Sequence, residues 1–183
     1  ETPILLYSAA STTFLGNQAQ NNDINGILTD TGTITTDTVW QSDSGFPFVI
    51  DYTKAIASGT TLTLKEGTVL KIKPQTGTNW AGHFDINGRL VTEGTLTNPV
   101  VVTSFADDEF GGDTNNNGSS TPIRWQYLRF NSLVATSTLD GIIIRYSDGN
   151  CSAGFCWGAV TQSQGVGIEI KNSKGTGFGL VWY

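Results

Sequence analysis

Leu62-Thr-Leu64-Lys-Glu-Gly67-Thr-Val69-Leu-Lys-Ile72 is followed a short way on by Phe84-Asp-Ile86-Asn-Gly88-Arg-Leu90-Val-Thr-Glu-Gly94. Both segments alternate two apolar residues with polar ones, reach a glycine, and resume with an apolar residue two positions later. Leu62 corresponds to Phe84 and Leu64 to Ile86, each 22 residues on. Alternation at period two puts Leu62 and Leu64 on one face of a strand, and a single coil has nothing to bury that face against. A strand pattern returning every ~20–30 residues marks a solenoid, in which each coil closes the core of the next. The leucine spacing and asparagine ladder of a leucine-rich repeat are absent. The pattern predicts an all-β chain folded as a right-handed, single-stranded parallel β-helix.

Outward from this stretch the same alternating pair continues in Leu128/Phe130, Ile142/Ile144 and Ile168/Ile170. Their spacings are uneven, 14 and then 26 residues. A coil holds more than one strand, so the shorter step is expected to join two faces. Phe46-Pro47-Phe48-Val49-Ile50 and Val100-Val101-Val102-Thr103 read as strands, with Pro47 and Pro99 at their starts, where a missing N–H costs least. Residues 1–39 have a different texture. The short apolar run Ile4-Leu5-Leu6-Tyr7 precedes a polar tract from Gly16 to Asn25 and a Thr-rich stretch. They are expected to form an N-terminal cap or strand-rich extension, since a bare first coil would expose core and strand edges. Residues 40–183 then form the β-helix, interrupted by a polar insertion at 106–121. Leu180-Val-Trp-Tyr183 begins a strand that nothing in the chain follows, so the end is expected to be cut from a longer protein or to pair with another copy.

Composition sets the class. Charged residues are only 14% of the chain and glycine supplies 22 of its 183 residues, which suits short strands and turns and leaves little for helices. The net charge is −6 and no basic cluster occurs, so nucleic-acid binding is excluded from the expectations. No apolar run approaches the ~18–20 residues that span a bilayer. The chain starts at Glu1 and contains no Met, as expected of a processed product whose export signal has been removed. Cys151 and Cys156, the only cysteines, have four residues between them and are expected to form a small disulfide staple in an oxidising compartment.

Gly59-Thr-Thr-Leu-Thr-Leu-Lys-Glu-Gly-Thr-Val-Leu-Lys-Ile72 resembles the opening coil of bacterial right-handed parallel β-helix domains of the pectin-lyase-like class. Gly88 to Ser104, with Asn98-Pro99 inside it, is similar to the next coil, and Asp107-Asp108, Gly111 to Asn115 and Ile143-Ile-Arg-Tyr146 also match. The resemblance covers roughly residues 38–183. It implies an exported, cell-surface or extracellular location. It implies no particular activity, since such domains include surface proteins as well as polysaccharide lyases and hydrolases.

The sharpest chemical signal is Asp113-Thr-Asn115-Asn-Asn117-Gly118. Oxygen side chains at alternate positions before a glycine are how an EF-hand-type loop wraps Ca2+, and the next carbonyl would come from Ser119. The closing bidentate Glu is missing, because Arg124 stands at position twelve. Asp107 and Asp108 are expected to supply carboxylates from the other side, making a structural calcium site that pins the insertion. The competing reading is an Asn/Asp/Gly loop held by its own side-chain-to-backbone turns.

A lyase needs a base and a cation against a uronate carboxylate. Arg124, Arg129, Arg145 and Lys171, with Asp107, Asp108 and Asp140, are the available set, and they read more simply as solvated positions of amphipathic strands. Trp40, Trp80, Trp125, Trp157 and Trp182 are candidates for a sugar-stacking platform, with Trp80 and Trp157 in turn regions the more exposed, against the reading that they cover solenoid ends and pack under loops. The function expected is a non-catalytic extracellular or cell-surface structural or adhesive module, calcium-stabilised and part of a surface assembly or filament. Its expected partners are surface polysaccharide or further copies of the chain. The alternative is a carbohydrate-active enzyme of polysaccharide-lyase type, or a carbohydrate-binding module.

Overall fold

The computed structural model describes residues 4–7, 11–43, 45–74, 82–147, 151–152, 155–156 and 160–176, with the backbone alone at 151–152, 155–156 and 175–176. The chain winds as a parallel β-helix with three strands to a coil, named here sheets A, C and B in the order the chain visits them. The first turn is β1 (Ile4–Leu6) in A and β2 (Thr12–Phe14) in B. The second is β3 (Ile27–Thr29), β4 (Thr33–Ile34) and β5 (Thr38–Ser42), and the third β6 (Phe48–Asp51), β7 (Thr53–Ile56) and β8 (Thr61–Lys65). Next come β9 (Val69–Lys73), β10 (His83–Ile86) and β11 (Arg89–Glu93), then β12 (Val100–Ser104), β13 (Leu128–Phe130) and β14 (Ser137–Asp140). The last coil is β15 (Ile142–Arg145), a hairpin of β16 (Cys151–Ser152) and β17 (Phe155–Cys156), then β18 (Val160–Gln162) and β19 (Ile168–Lys171), with β20 (Lys174–Thr176) returning to sheet A. All pairing within the three sheets is parallel. No α-helix occurs among the described residues.

Register explains the core. In sheet A, Ile27, Phe48, Leu70, Val102 and Ile144 stack on one another through successive coils. Ile34, Ile56, Ile86 and Phe130 do the same in sheet C, and Trp40, Leu64, Thr92 and Leu139 in sheet B. Nearly all of these side chains are fully buried, and Trp40 lies flat on Phe48 with ring centroids 4.9 Å apart. One charged residue enters this core. Lys54 stands in register with Phe84, its stem buried in the apolar stack, and its Nζ reaches the carboxylate of Asp30 at 2.6 Å and the Asp30 carbonyl at 2.8 Å. A long stem that fills a core site while the charge finds a partner at the edge is the usual way a lysine is accommodated there.

One reading of the sequence is corrected by this register. The 22-residue recurrence does not relate one coil to the next. Leu62 pairs with Leu90, 28 residues on, and Phe84 pairs with Lys54. The first quoted segment is the corner from sheet B to sheet A, and the second is the corner from C to B. Every corner needs an alternating strand, a sharp turn and another strand, so the pattern marks corners rather than coils. A true 22-residue step does occur, from Phe48 to Leu70. The division expected at 39/40 falls inside β5, and β1 to β4 lie in the same three sheets as the later strands. The 14-residue step from Leu128 to Ile142 joins sheet C to sheet A, as expected of two faces.

The coils that start at β9, β12 and β15 are longer than the two before them because connections are added between β9 and β10, β12 and β13, and β15 and β18. All three leave at the corner from sheet A to sheet C. In the third coil that corner is Tyr52 alone, held in left-handed backbone (φ 71°).

Candidate functional site

The insertion after β12 packs on the outer face of sheet A. Lys71 decides how. It alternates with the core residues Leu70 and Ile72, so its side chain leaves the core, yet it is fully buried because the insertion covers it. Its Nζ donates to the carbonyls of Asp107 and Gly112, both at 2.8 Å, and to Thr114 Oγ1 at 2.5 Å. Burial pushes the ammonium down to a pKa of about 8, against the pull of the Asp107, Asp108 and Asp113 carboxylates. A second cation holds the near end of the insertion. Arg145 bonds Glu109 at 2.5 Å, lies 3.6 Å from Asp107 Oδ2, and has its guanidinium 5.0 Å from the centroids of Phe110 and Tyr146.

The residues expected to bind calcium divide into two groups. Asp107 is fully buried and turned toward sheet A, where Oδ2 accepts from Thr103 Oγ1 at 2.6 Å and Oδ1 from the Glu109 amide. Asp113 accepts from the amides of Asn117 and Gly118 at 3.0 and 2.8 Å, and Asn117 Oδ1 accepts from the amide of Ser119 at 2.9 Å. That is the side-chain-to-backbone wrapping of an Asx turn. An ionised carboxylate offers about four lone-pair sites, so these bonds leave acceptor capacity on Asp113. Asp108 Oδ1 and Asn115 Oδ1 are shielded from solvent and have no hydrogen-bond partner. Asp108 is pushed up, first by its burial and then by the charge of Asp113. Among the described residues no group of three or more His, Cys, Asp or Glu side chains converges as a metal site.

Sheet C carries a second cluster, which sequence reasoning missed. Asp85 and Arg129 are the outward positions of β10 and β13, and parallel register sets them side by side. They form a two-bond pair, Nε to Oδ1 and Nη2 to Oδ2, both 2.8 Å. His83 sits one outward position along, its Nε2 3.7 Å from Asp85 Oδ2, with its ring against Tyr127 and edge-on to Tyr52. The Nδ1 of His83 is shielded and unbonded. Burial pushes the Asp85 carboxyl up, but His83 and Arg129 outweigh it and hold it below the ordinary aspartate range. Arg129 and Asp85 lie 44 residues apart, and their only signal in the sequence is equivalent placement between Phe84/Ile86 and Leu128/Phe130. Next to them Asn87, Asn131 and Ser163 form a three-rung polar ladder, each bond 3.0 Å.

Of the other candidates, Trp40 and Trp125 are core residues, Trp125 donating from Nε1 to the Arg145 carbonyl at 2.7 Å. Lys171 pairs with Glu169 on the exposed face of β19, and Asp140 accepts from Asn172. Trp80, Trp157, Trp182 and the strand expected at 180–183 lie outside the described residues. Cys151 and Cys156 stand directly opposite each other in the β16–β17 hairpin. Their side chains lie outside the described ones, and no disulfide occurs among the described residues.

The class these observations define is a parallel β-helix with elaborated corners and charges paired along its outer faces. No family model, no curated protein and no solved structure matches the chain.

Proposed function

We propose that this chain is a non-catalytic structural module of an extracellular or cell-surface assembly, of the kind its resemblance to exported pectin-lyase-like domains implies. The observation that carries the reading is the fate of its outward charges. Lys65 pairs with Glu93, Lys73 with Asp51, Arg129 with Asp85, and Arg145 with Glu109, each between neighbouring coils or between a coil and the insertion that covers it. An acid, base or cation committed to a neighbour in this way adds a rung to a ladder and is withdrawn from chemistry on a substrate. The structural calcium site belongs to the same proposal. Asp108, Asp113 and Asn115 are the donors that would hold the ion, and the two shielded, unbonded oxygens of Asp108 and Asn115 support it. The ion would supply charge neutralisation to the insertion. The partners proposed are surface polysaccharide or further copies of the chain.

Two measurements test this. Polygalacturonate and neutral plant and bacterial glycans, incubated with the protein, should show no unsaturated or newly reducing ends. Turnover lost in an Asp85→Asn variant would overturn the structural reading and establish the His83–Asp85–Arg129 face as a lyase site. Calcium should raise the thermal midpoint and chelation lower it, since a ligand of the folded state alone stabilises by mass action. Asp113→Ala should abolish that response, and a midpoint indifferent to both reagents removes calcium from the proposal.

A further inference from the structure

A cleft of about 450 Å³ lies between the connection from β2 to β3 and the insertion on sheet A. One wall is Gln18 to Asn21, the other Gly111 to Asp113 with Asn116, and Gly45 closes one side. The walls are tied together by Asn25. Its amide donates to the Thr114 carbonyl and its Nδ2 to the Asp113 carbonyl, both at 2.8 Å, while its Oδ1 accepts from the Asn22 amide at 3.1 Å. The width of the cleft is therefore set by the folded chain before anything enters it.

The chemistry of the lining is narrow. Gln18, Gln20, Asn21 and Asn116 each present a primary amide, with two N–H donors and one carbonyl acceptor. These four side chains make no hydrogen bond to the described residues, whereas Asn17, Asn22, Asn25, Asn117 and Asn131 all do. Asn21 and Asn116 also hold left-handed backbone, φ 60° and 51°, a conformation asparagine tolerates better than most residues. No lysine or arginine lines the cleft, and its one charge is the carboxylate of Asp113. In the calcium-free protein an anionic ligand would meet repulsion and no counter-charge. An apolar ligand would strand four amides. A ligand whose neighbouring groups each donate and accept would satisfy them. The volume lies within the ~300–1,000 Å³ range of small-molecule sites.

From this geometry we infer that the cleft is a binding subsite for neutral, hydroxyl-rich saccharide, able to hold one or two sugar rings of a longer chain. It rests on the surface polysaccharide proposed above as a partner and gives that partner a site, while the scaffold reading stands without it. Without an aromatic platform to stack on, the affinity is weak, in the millimolar range.

The test is protein-observed NMR of the Asn and Gln side-chain NH2 signals, titrated separately with maltohexaose, cellohexaose, trigalacturonate and a blocked trialanine peptide. At least one neutral hexasaccharide should shift the signals of Gln18, Gln20, Asn21 and Asn116, with no response to trigalacturonate or the peptide. A Cβ on Gly45 would meet nothing within 4 Å, so Gly45→Phe should block the cleft in a folded protein and abolish the shifts. Gln20→Ala with Asn116→Ala should weaken binding about tenfold, ~1.4 kcal/mol. Silence with both hexasaccharides, shifts that survive Gly45→Phe, or an equal response to trigalacturonate or peptide would each overturn the inference. The titrations are run with chelator, so calcium on Asp113 does not enter them and the saccharide and calcium proposals fail separately.

Discussion

Replacing Lys71 by Met keeps the buried stem and removes the ammonium that anchors the insertion. Three acceptors lose their donor: the Asp107 and Gly112 carbonyls and Thr114 Oγ1. Hydrogen bonds from a charged donor contribute ~1.5–3 kcal/mol each, so the gross loss is roughly 4–9 kcal/mol. Against this stands the relief of a buried charge. The pKa of about 8, against 10.5 for the unperturbed side chain, corresponds to ~3 kcal/mol at neutral pH. The loss outweighs the relief, leaving a net destabilisation of about 1–6 kcal/mol, or a midpoint lowered by roughly 2–24 °C for a domain of this size. The damage should start locally, because residues 107–118 lose their tie to β9 before the coils part. Hydrogen exchange should show faster opening of that segment, and denaturant unfolding should give the global figure. The pH dependence has a definite sign. Between about 8 and 10.5 the folded state has lost the Lys71 proton while the unfolded state keeps it, so raising the pH favours folding. The stability of the native protein minus that of Lys71→Met should therefore climb across this window by up to ~3 kcal/mol. Unchanged exchange in residues 107–118 would refute the anchoring argument, and a difference curve that is flat or falls would show that burial does not depress the Lys71 ammonium.

Gly141 turns the corner from β14 to β15 at φ 57°, and a Cβ there would sit 2.2 Å from the Gly94 carbonyl carbon. Gly141→Ala should cost about 3 kcal/mol or more in denaturant unfolding, while Gly112→Ala, left-handed but in open space, should cost only ~1 kcal/mol. Asp85 has its folded pKa held below the unfolded value, so its contribution is present above the ordinary aspartate range and fades as acid protonates it. Arg129→Ala should therefore lower stability by about 0.5–1 kcal/mol at neutral pH, with the deficit shrinking in acid. Directly opposed residues of an antiparallel pair have Cα atoms ~4.5–5.5 Å apart, within disulfide range. The register of Cys151 with Cys156 therefore predicts no alkylatable thiol in the unreduced, unfolded protein by intact mass; two alkylated thiols would exclude the bridge.

The alternation of Leu62 with Leu64, Phe84 with Ile86 and Ile142 with Ile144 was enough to predict stacked coils, because a strand with one apolar face must find another to cover it. The same residues could not say which strand lies on which. Corners from B to A and from C to B impose one local pattern, and only the three-sheet register shows that Leu62 meets Leu90 rather than Phe84. The candidate site shows the same divide. Side-chain oxygens at 113, 115 and 117 were legible as a turn that could wrap a cation, since loop geometry is local. That a cation already pins the insertion, and that it is the ammonium of Lys71 some 40 residues earlier, was not. On a strand read alone Lys71 is an ordinary solvated position between Leu70 and Ile72. Arg129 likewise reads as a solvated strand position, and nothing in the sequence marks Asp85 as its partner. Only coil stacking, which brings residues 44 positions apart into one register, makes them a pair. Position within a strand is written in the chain, but contact between strands depends on the length of the connections, and length carries no signal of where the chain returns.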